Sequence, residues 1–503
     1  METTQPSKRE VNIEKMKNGF SAVERFVNKA IYTDYYLWTI LAIVFIAWVT
    51  ECAPFGFITL ILVSSFVLVF SRDLLPLFAN IFGAVLMIYT DKVDEFLYLW
   101  PVFIPLGIAI VFFAVRNIIL KKRAGDKFQL GKLFFPQVAV AVALIVGGAG
   151  VVSGERYLVA LPNVLALGVG VLAVYVLARN FILKNSEVDT PTYLAKILAY
   201  IGVVVSIQLI VVVARSGLPP LEWIRAYWFV GWGNRNNVST YLLFTAPMCL
   251  YLSTKYKRLG VVYMLMAVLQ YICLIITFSR GGILFGFIAL VLGLGFSIYK
   301  AKNRKMYLIL LGCVAGLMLV LYLCFMNKVN DAIASLLARG TGLSNRDLLW
   351  IEGWDLFKKN PFQGAGFGYM GSMGEIVHEA IGVYYFHSTL LQVLACMGIL
   401  GILAYGYNYA FKGMVLFKNM RNPFNLFVIV VLIGFEGYSM IDTGTMIPFP
   451  YMMLVTIIFC VVEMYTATPE MIEADKLQAQ AEKELRALNK SKKIHKKIEG
   501  RKV

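Results

Sequence analysis

Three residues have chemistry at odds with their surroundings. Arg280 lies in the stretch TFSRGG, between two long runs of mostly Val, Leu, Ile, Met and Tyr. A charge at the centre of a membrane helix costs about 2.5–3.5 kcal/mol on insertion scales, so its position needs a reason. Gly281 and Gly282 let the chain reverse tightly there and keep side-chain bulk away from the guanidinium. An arginine held at the mouth of a helix bundle is a good anion site. Arg346 stands in GLSNRDLLWIEGWDLFKKNP, which reads as one short helix capped by Ser344 and Asp347 and stopped at Asn360-Pro361. In a first turn its guanidinium joins backbone N–H groups at the positive helix end, a setting suited to phosphate oxygens. His387, in YYFHSTLL, opens another apolar run. Its spacing from His378 gives the two no common helical face, so His378, Glu379 and His387 do not read as a metal set.

The elements that must hold these residues are membrane helices. Hydrophobic residues make up 59% of the 503-residue chain and charged residues 15%, against about 45–50% and 25% in soluble domains. Apolar stretches long enough to span a bilayer recur along the whole length. The expected fold is an all-α polytopic membrane protein of about fourteen spans, centred near residues 44, 63, 82, 109, 143, 168, 204, 245, 268, 290, 315, 399, 431 and 455. The polar start, METTQPSKREVNIEKMKNGF, has no cleavable signal pattern. Seven cysteines, scattered mostly in apolar runs, suggest neither zinc nor disulfides.

Charge fixes the expected orientation. With the N-terminus inside, the cytoplasmic segments collect 36 of the 47 lysines and arginines, the bias of the positive-inside rule. Both termini are then cytoplasmic, and the net charge of +17 reflects topology beside an anionic leaflet, not nucleic-acid affinity. The organisation follows as a cytoplasmic tail (1–34), a transmembrane bundle of eleven spans (35–326), an external loop with short helices (327–386), three further spans (387–466) and a basic cytoplasmic tail (467–503). An external loop of that size is usually functional. A second external segment, 215–241, carries Trp223, Trp228 and Trp232 and the turn GNRNN. It reads either as an interfacial aromatic belt or as a lid where Arg235 and Asn237 line a polar cavity. Gly366, Gly368 and Gly371 match G-x-G-x-x-G, but no strand precedes them, so they are expected to allow close packing rather than to bind a nucleotide.

Three fragments occur in order: S-R-G-G at a helix turn, S-N-R-D-x-x-W followed by N-P-x-x-G-x-G-x-G, and F-H-S at the next span. Together they resemble the O-antigen ligase and O-antigen polymerase superfamily of bacterial membrane glycosyltransferases. GNRNNVSTYLLFTAP resembles the family's Asn-containing motif, and the likeness covers roughly residues 230–410. The resemblance implies metal-independent, inverting transfer of a glycan from an undecaprenyl-pyrophosphate carrier at the external face of the bacterial cell membrane. It needs no cofactor, and the acceptor is lipid-linked or part of the cell envelope. Carried over, Arg280 and Arg346 bind the donor pyrophosphate, His387 takes the acceptor's proton, and Arg235 and Asn237 line the same cavity.

That chemistry suits the residues. A departing pyrophosphate is stabilised by fixed positive charge in a water-poor site, guanidinium groups can supply it, and an ordinary imidazole accepts protons near neutral pH. The shared motifs do not separate a polymerase from a ligase; the high span count and long N-terminal part favour polysaccharide polymerisation. The contrasting expectation is a transporter or flippase of lipid-linked sugars. Transporters carry broken helices in repeated positions, and no internal repeat is visible here. A peptidoglycan polymerase of the SEDS type has different loop motifs, and a non-catalytic scaffold is the remaining alternative.

Overall fold

Long apolar runs excluded from water can satisfy their backbone only by coiling into helices, and the computed structural model of the chain has that architecture. The structure describes residues 8–465 except 90–97, 100, 153, 185–187, 220–221, 224–225, 302–303, 339–345, 370, 372–376, 379–382, 421 and 443–448, together with 477, 480 and 484. The proposed Ser344 cap and nearly all of the 467–503 tail lie outside the described residues.

The first half comprises α1 (Lys8–Ala30), α2 (Asp34–Val49), α3 (Ala53–Phe70), α4 (Leu77–Val85), α5 (Phe103–Ala124), α6 (Phe134–Val146), α7 (Gly154–Leu165), α8 (Val171–Phe181) and α9 (Thr190–Ser216). The second comprises α10 (Arg235–Lys255), α11 (Gly260–Ile276), α12 (Arg280–Lys300), α13 (Arg304–Cys324), α14 (Met326–Ala338), α15 (Arg346–Lys359), α16 (Thr389–Phe417), α17 (Pro423–Ser439) and α18 (Phe449–Met464). A hairpin of β1 (Val377–His378) and β2 (Val383–Tyr384), antiparallel with Val377 opposite Tyr384, is the departure from an all-helical loop. Every expected span centre falls in a helix, or at 168 in the π-helical turn Ala166–Gly170 joining α7 to α8. That turn follows Pro162, which lacks an N–H and disturbs the preceding carbonyl.

Not all fourteen centres are full spans. Among the described residues seven helices are long and apolar enough to cross a membrane, or eight if the bent pair Gly19–Ala30 and Asp34–Val49 is one span. The 9-residue α4 reaches only about 13 Å, well short of the ~30 Å hydrocarbon core.

The core sits around α9 and α10. From Val238 to Thr254 every residue of α10 is buried, and it packs on α9, α11, α12 and α17. By contrast α13 leaves nearly its whole surface outward, as a helix facing lipid does. Trp228 and Trp232 are buried, and Trp232 Nε1 donates to Gln208 Oε1 at 2.9 Å. These two tryptophans belong to the core and not to an interfacial belt. The bundle has two distinct ends. At one, basic segments meet: Lys121 bonds Asn180, Lys196 pairs with Asp34, and Lys255 pairs with Asp189. α18 runs from the other end, where Tyr451 contacts Asn237, to this basic end, where Tyr465 bonds Thr190.

One feature ties the segment around α15 to the bundle. At Gly398 (φ 60°, ψ −148°) α16 leaves helical geometry. The segment after α15 fills the break. Ala365 N and Gly366 N donate to the carbonyls of Ala395 (2.7 Å) and Cys396 (3.0 Å). In return Ile399 N and Leu400 N donate to the carbonyls of Pro361 (2.8 Å) and Phe362 (3.1 Å). Irregular backbone survives within a helix bundle only when its polar groups are satisfied in this way. Gly364 has φ +68°, and a Cβ there would lie 2.4 Å from the backbone of Cys396 and Met397. Gly364→Ala should therefore destabilise the protein by about 2–4 kcal/mol, combining left-handed strain with a backbone clash. A thermal-unfolding midpoint in detergent equal to that of the unmutated protein would refute this.

Candidate active site

Arg280 is the first residue of α12 and its side chain is exposed. The turn before it is built tightly. Phe278 takes a left-handed φ of +48°, and Ser279 N donates to Thr277 Oγ1 at 3.2 Å. Ser279 precedes the helix but makes no cap bond to it. Its hydroxyl instead meets Asn236 Oδ1 (3.0 Å) and Tyr438 Oη (3.2 Å). A Cβ on Gly281 would fall 2.4 Å from Ile441 and 2.8 Å from the Tyr438 ring. The turn carrying Arg280 is thus pressed against residues 438–441.

The same short segment receives Arg346, the first residue of α15. One guanidinium nitrogen donates to the Ile441 carbonyl, and Nη2 lies 3.2 Å from Asp442 Oδ2. Asp442 gathers three more donors: His387 Nδ1 at 3.1 Å on Oδ1, and Asn236 Nδ2 at 3.2 Å and Tyr438 Oη at 3.3 Å on Oδ2. The carboxylate is 8% exposed as a residue, so these bonds replace the water it has lost. A carboxylate only accepts, which places the hydrogen of neutral His387 on Nδ1 and leaves Nε2 with its lone pair.

His387 is held in a conformation it would not choose. Its φ is +49°, and such left-handed residues persist where the surroundings over-determine them, at about 1–3 kcal/mol each. Gln392 supplies the constraint: Oε1 accepts from Phe386 N (3.1 Å) and Nε2 donates to the Tyr384 carbonyl (2.9 Å). Ser388 follows as the cap of α16, accepting from Leu391 N. From α15, Glu352 accepts from Tyr369 Oη (3.1 Å) and Tyr384 Oη (2.8 Å), fixing β2 against the helix that carries Arg346.

Arg346 and His387 are therefore brought together on one carboxylate, with Arg280 one packed turn away. Asn237 has another task. Its side chain accepts from Asn234 N (3.1 Å), completing a capping box at the start of α10, and donates to Tyr451 Oη (3.4 Å). Arg235 lies over the Tyr227 ring at 5.6 Å. Asn236, between them, is the member of the Asn turn that reaches Asp442. Sequence reasoning did not single out Asn236, Tyr438 or Asp442. Asp442 had one legible signal: it follows the C-terminal end of the apolar helix α17, where the helix dipole disfavours an anion, so cationic partners had to be supplied.

Breaking a buried, hydrogen-bonded charge pair costs about 3–5 kcal/mol, less where the partners touch water. Asp442→Ala should lower stability by about 1–3 kcal/mol, and Asp442→Asn by less, because the amide keeps an acceptor for Arg346 or His387. Thermal midpoints of the three proteins in one detergent check the order; equal values for Ala and Asn would show that the charge does not organise the site.

Residues 264–406 match a family model described as O-antigen ligase. A search of curated proteins finds no match to the chain. The matched stretch contains Arg280, Arg346 and His387 and ends before Asp442 comes in from α17. This multi-pass membrane protein is thus similar to the O-antigen ligase family over the stretch that carries Arg280, Arg346 and His387.

Proposed function

We propose that the protein transfers a glycan from an undecaprenyl-pyrophosphate donor to a sugar hydroxyl at the external face of the bacterial cell membrane, with both termini in the cytoplasm. The observation that carries this reading is the convergence of Arg346 and His387 on Asp442 beside the Arg280 turn, within the family-matched domain. It joins an anion-binding group to a base with an open nitrogen.

The acceptor hydroxyl attacks the anomeric carbon of the donor sugar from the face opposite the pyrophosphate, inverting its configuration. The new C–O bond forms as the bond to phosphate oxygen breaks, and the lipid pyrophosphate leaves with the electron pair. Arg280 and Arg346 hold that pyrophosphate and offset the charge that builds on it. His387 Nε2 takes the hydroxyl proton. Asp442 does not touch substrate; it orients the imidazole and stabilises the imidazolium that forms, as a buried carboxylate does behind a catalytic histidine. Of the two further residues, Arg235 lines the cavity, while Asn237 serves it by holding the start of α10 in place. The guanidinium groups supply the positive charge, so no metal ion is required.

The basic segments gathered at the opposite end of the bundle support placing this site outside. We favour chain polymerisation over ligation, and the family match favours transfer over transport.

Reconstituted in liposomes with an undecaprenyl-pyrophosphate oligosaccharide as sole substrate, the protein should give a ladder of lengthened glycans. Product only after a second acceptor is added would mean a ligase; movement of the lipid-linked sugar between leaflets with no transfer would mean a transporter. His387→Ala should slow transfer about 10²–10⁴-fold. Arg280→Ala and Arg346→Ala should each abolish it while membrane expression is unchanged, and a fully active variant removes that residue from the mechanism. Activity should survive EDTA; strict dependence on a divalent ion would overturn the arginine account.

A further inference from the structure

At the basic end, away from the Asp442 site, the ends of α5, α8 and α18 enclose a cavity of about 310 Å³. Its lining carries Lys121, Lys127, Arg179 and Lys184 against one acid, Asp126, among the described residues. The cavity is built rather than incidental. Asn180 accepts from Lys121 Nζ (3.2 Å) and Gln129 N (2.9 Å) and donates to the Gln129 carbonyl (2.9 Å), pinning the loop after α5 onto α8. That loop is anchored again where Lys132 N donates to Glu463 Oε1 (2.5 Å).

The scaffold offsets one of the four cations, because Glu463 forms an ion pair with Arg179, and leaves Lys121, Lys127 and Lys184 facing Asp126. Glu463 is occupied by Lys132 N and by Tyr175 Oη at 2.7 Å, and it stands 3.9 Å from Arg179 Nε. That nitrogen is buried and has no hydrogen-bond partner. Three lysines and a guanidinium edge facing one carboxylate across an open cavity suit an oxyanion with several acceptor oxygens.

The location says which kind. Lys121 lies in the last turn of α5, a helix whose Val111, Val115, Ile118 and Ile119 are about half exposed, as lipid-facing residues are. An acyl chain lying along α5 would end at the cavity mouth. Basic pockets between helix ends at the cytoplasmic surface are suited to anionic headgroups.

We propose that this cavity binds the phosphate of an anionic phospholipid, with Arg179 and Lys121 at its base and Lys127 and Lys184 at its rim. It is a second site, separate from the transfer chemistry.

The test uses the full chain, purified in detergent and stripped of lipid. Native mass spectrometry and thermal unfolding are followed with added phosphatidylglycerol, cardiolipin, phosphatidylcholine or inorganic phosphate. The anionic lipids should bind and raise the midpoint by several degrees, and phosphatidylcholine and phosphate should not. Arg179→Gln should weaken binding at least tenfold. Because a buried change can disturb folding, the exposed double variant Lys127→Glu/Lys184→Glu is measured beside it and should show the same loss with its lipid-free midpoint unchanged. Lys358→Glu/Lys359→Glu, on α15, should bind lipid normally. Equal stabilisation by inorganic phosphate would make the ligand a soluble anion and overturn the lipid assignment. Equal binding of phosphatidylcholine, or undiminished lipid binding in the Lys127/Lys184 variant, would overturn the site.

Discussion

The architecture at this end of the bundle depends on satisfying one carboxylate. Asp442 is buried beside the end of a helix whose dipole repels it, so it must be compensated by donors from elsewhere. They come from four places in the chain: Asn236 in the first turn of α10, Arg346 at the start of α15, His387 before α16, and Tyr438 in the last turn of α17. No two of the first three are close in sequence. Their register is set by the need to leave no acceptor of a desolvated anion bare, since such a group costs more unpaired than it gains paired.

That requirement can be met only if the segment carrying α15 is seated firmly, and the break in α16 does this. The carbonyls and amides freed around Gly398 are the partners of the backbone from Pro361 to Gly366. The module therefore docks by main-chain hydrogen bonds to the bundle rather than by side-chain contact alone. α15 precedes this dock, and the Tyr384–His387 strap follows it. Gly353 completes the fit by admitting the Phe386 ring, where a Cβ would stand 2.9 Å away. The glycine run and the geometry of the Asp442 cluster are one device: the glycines allow backbone to meet backbone, and that contact fixes where Arg346 and His387 can point.

Much of this was legible in the sequence, for identifiable reasons. Apolar runs locate membrane helices because hydrocarbon leaves the backbone no alternative, and every expected centre lies in helical backbone. Which of them cross the membrane was less legible, since α4 is apolar but too short. Arg280, Arg346 and His387 were readable because a charge or an imidazole beside an apolar run needs a reason. Asn236 and Asp442 were not, because an asparagine in an Asn-rich turn and an acid past a helix end look like ordinary caps and loops. Their importance is a matter of long-range pairing, 206 residues apart in the case of Asn236 and Asp442, and no local pattern carries that. Conversely Asn237, chosen from the same turn, is committed to its helix cap and to Tyr451.

The Asp442 cluster also bears on how a site of this kind can exist empty. Two arginines gathered close together would repel one another unless an anion were present. Asp442 is such an anion, held by Arg346 Nη2 at 3.2 Å. Another guanidinium nitrogen of Arg346 donates to a neutral carbonyl, that of Ile441. Under the transfer reading, an arriving pyrophosphate competes for a guanidinium only partly neutralised, while Asp442 keeps its hold on His387. The carboxylate thus stabilises the cationic site before the donor binds, without cancelling the charge the donor needs. It then faces the imidazole as that ring becomes positive, which is when a fixed negative charge is worth most.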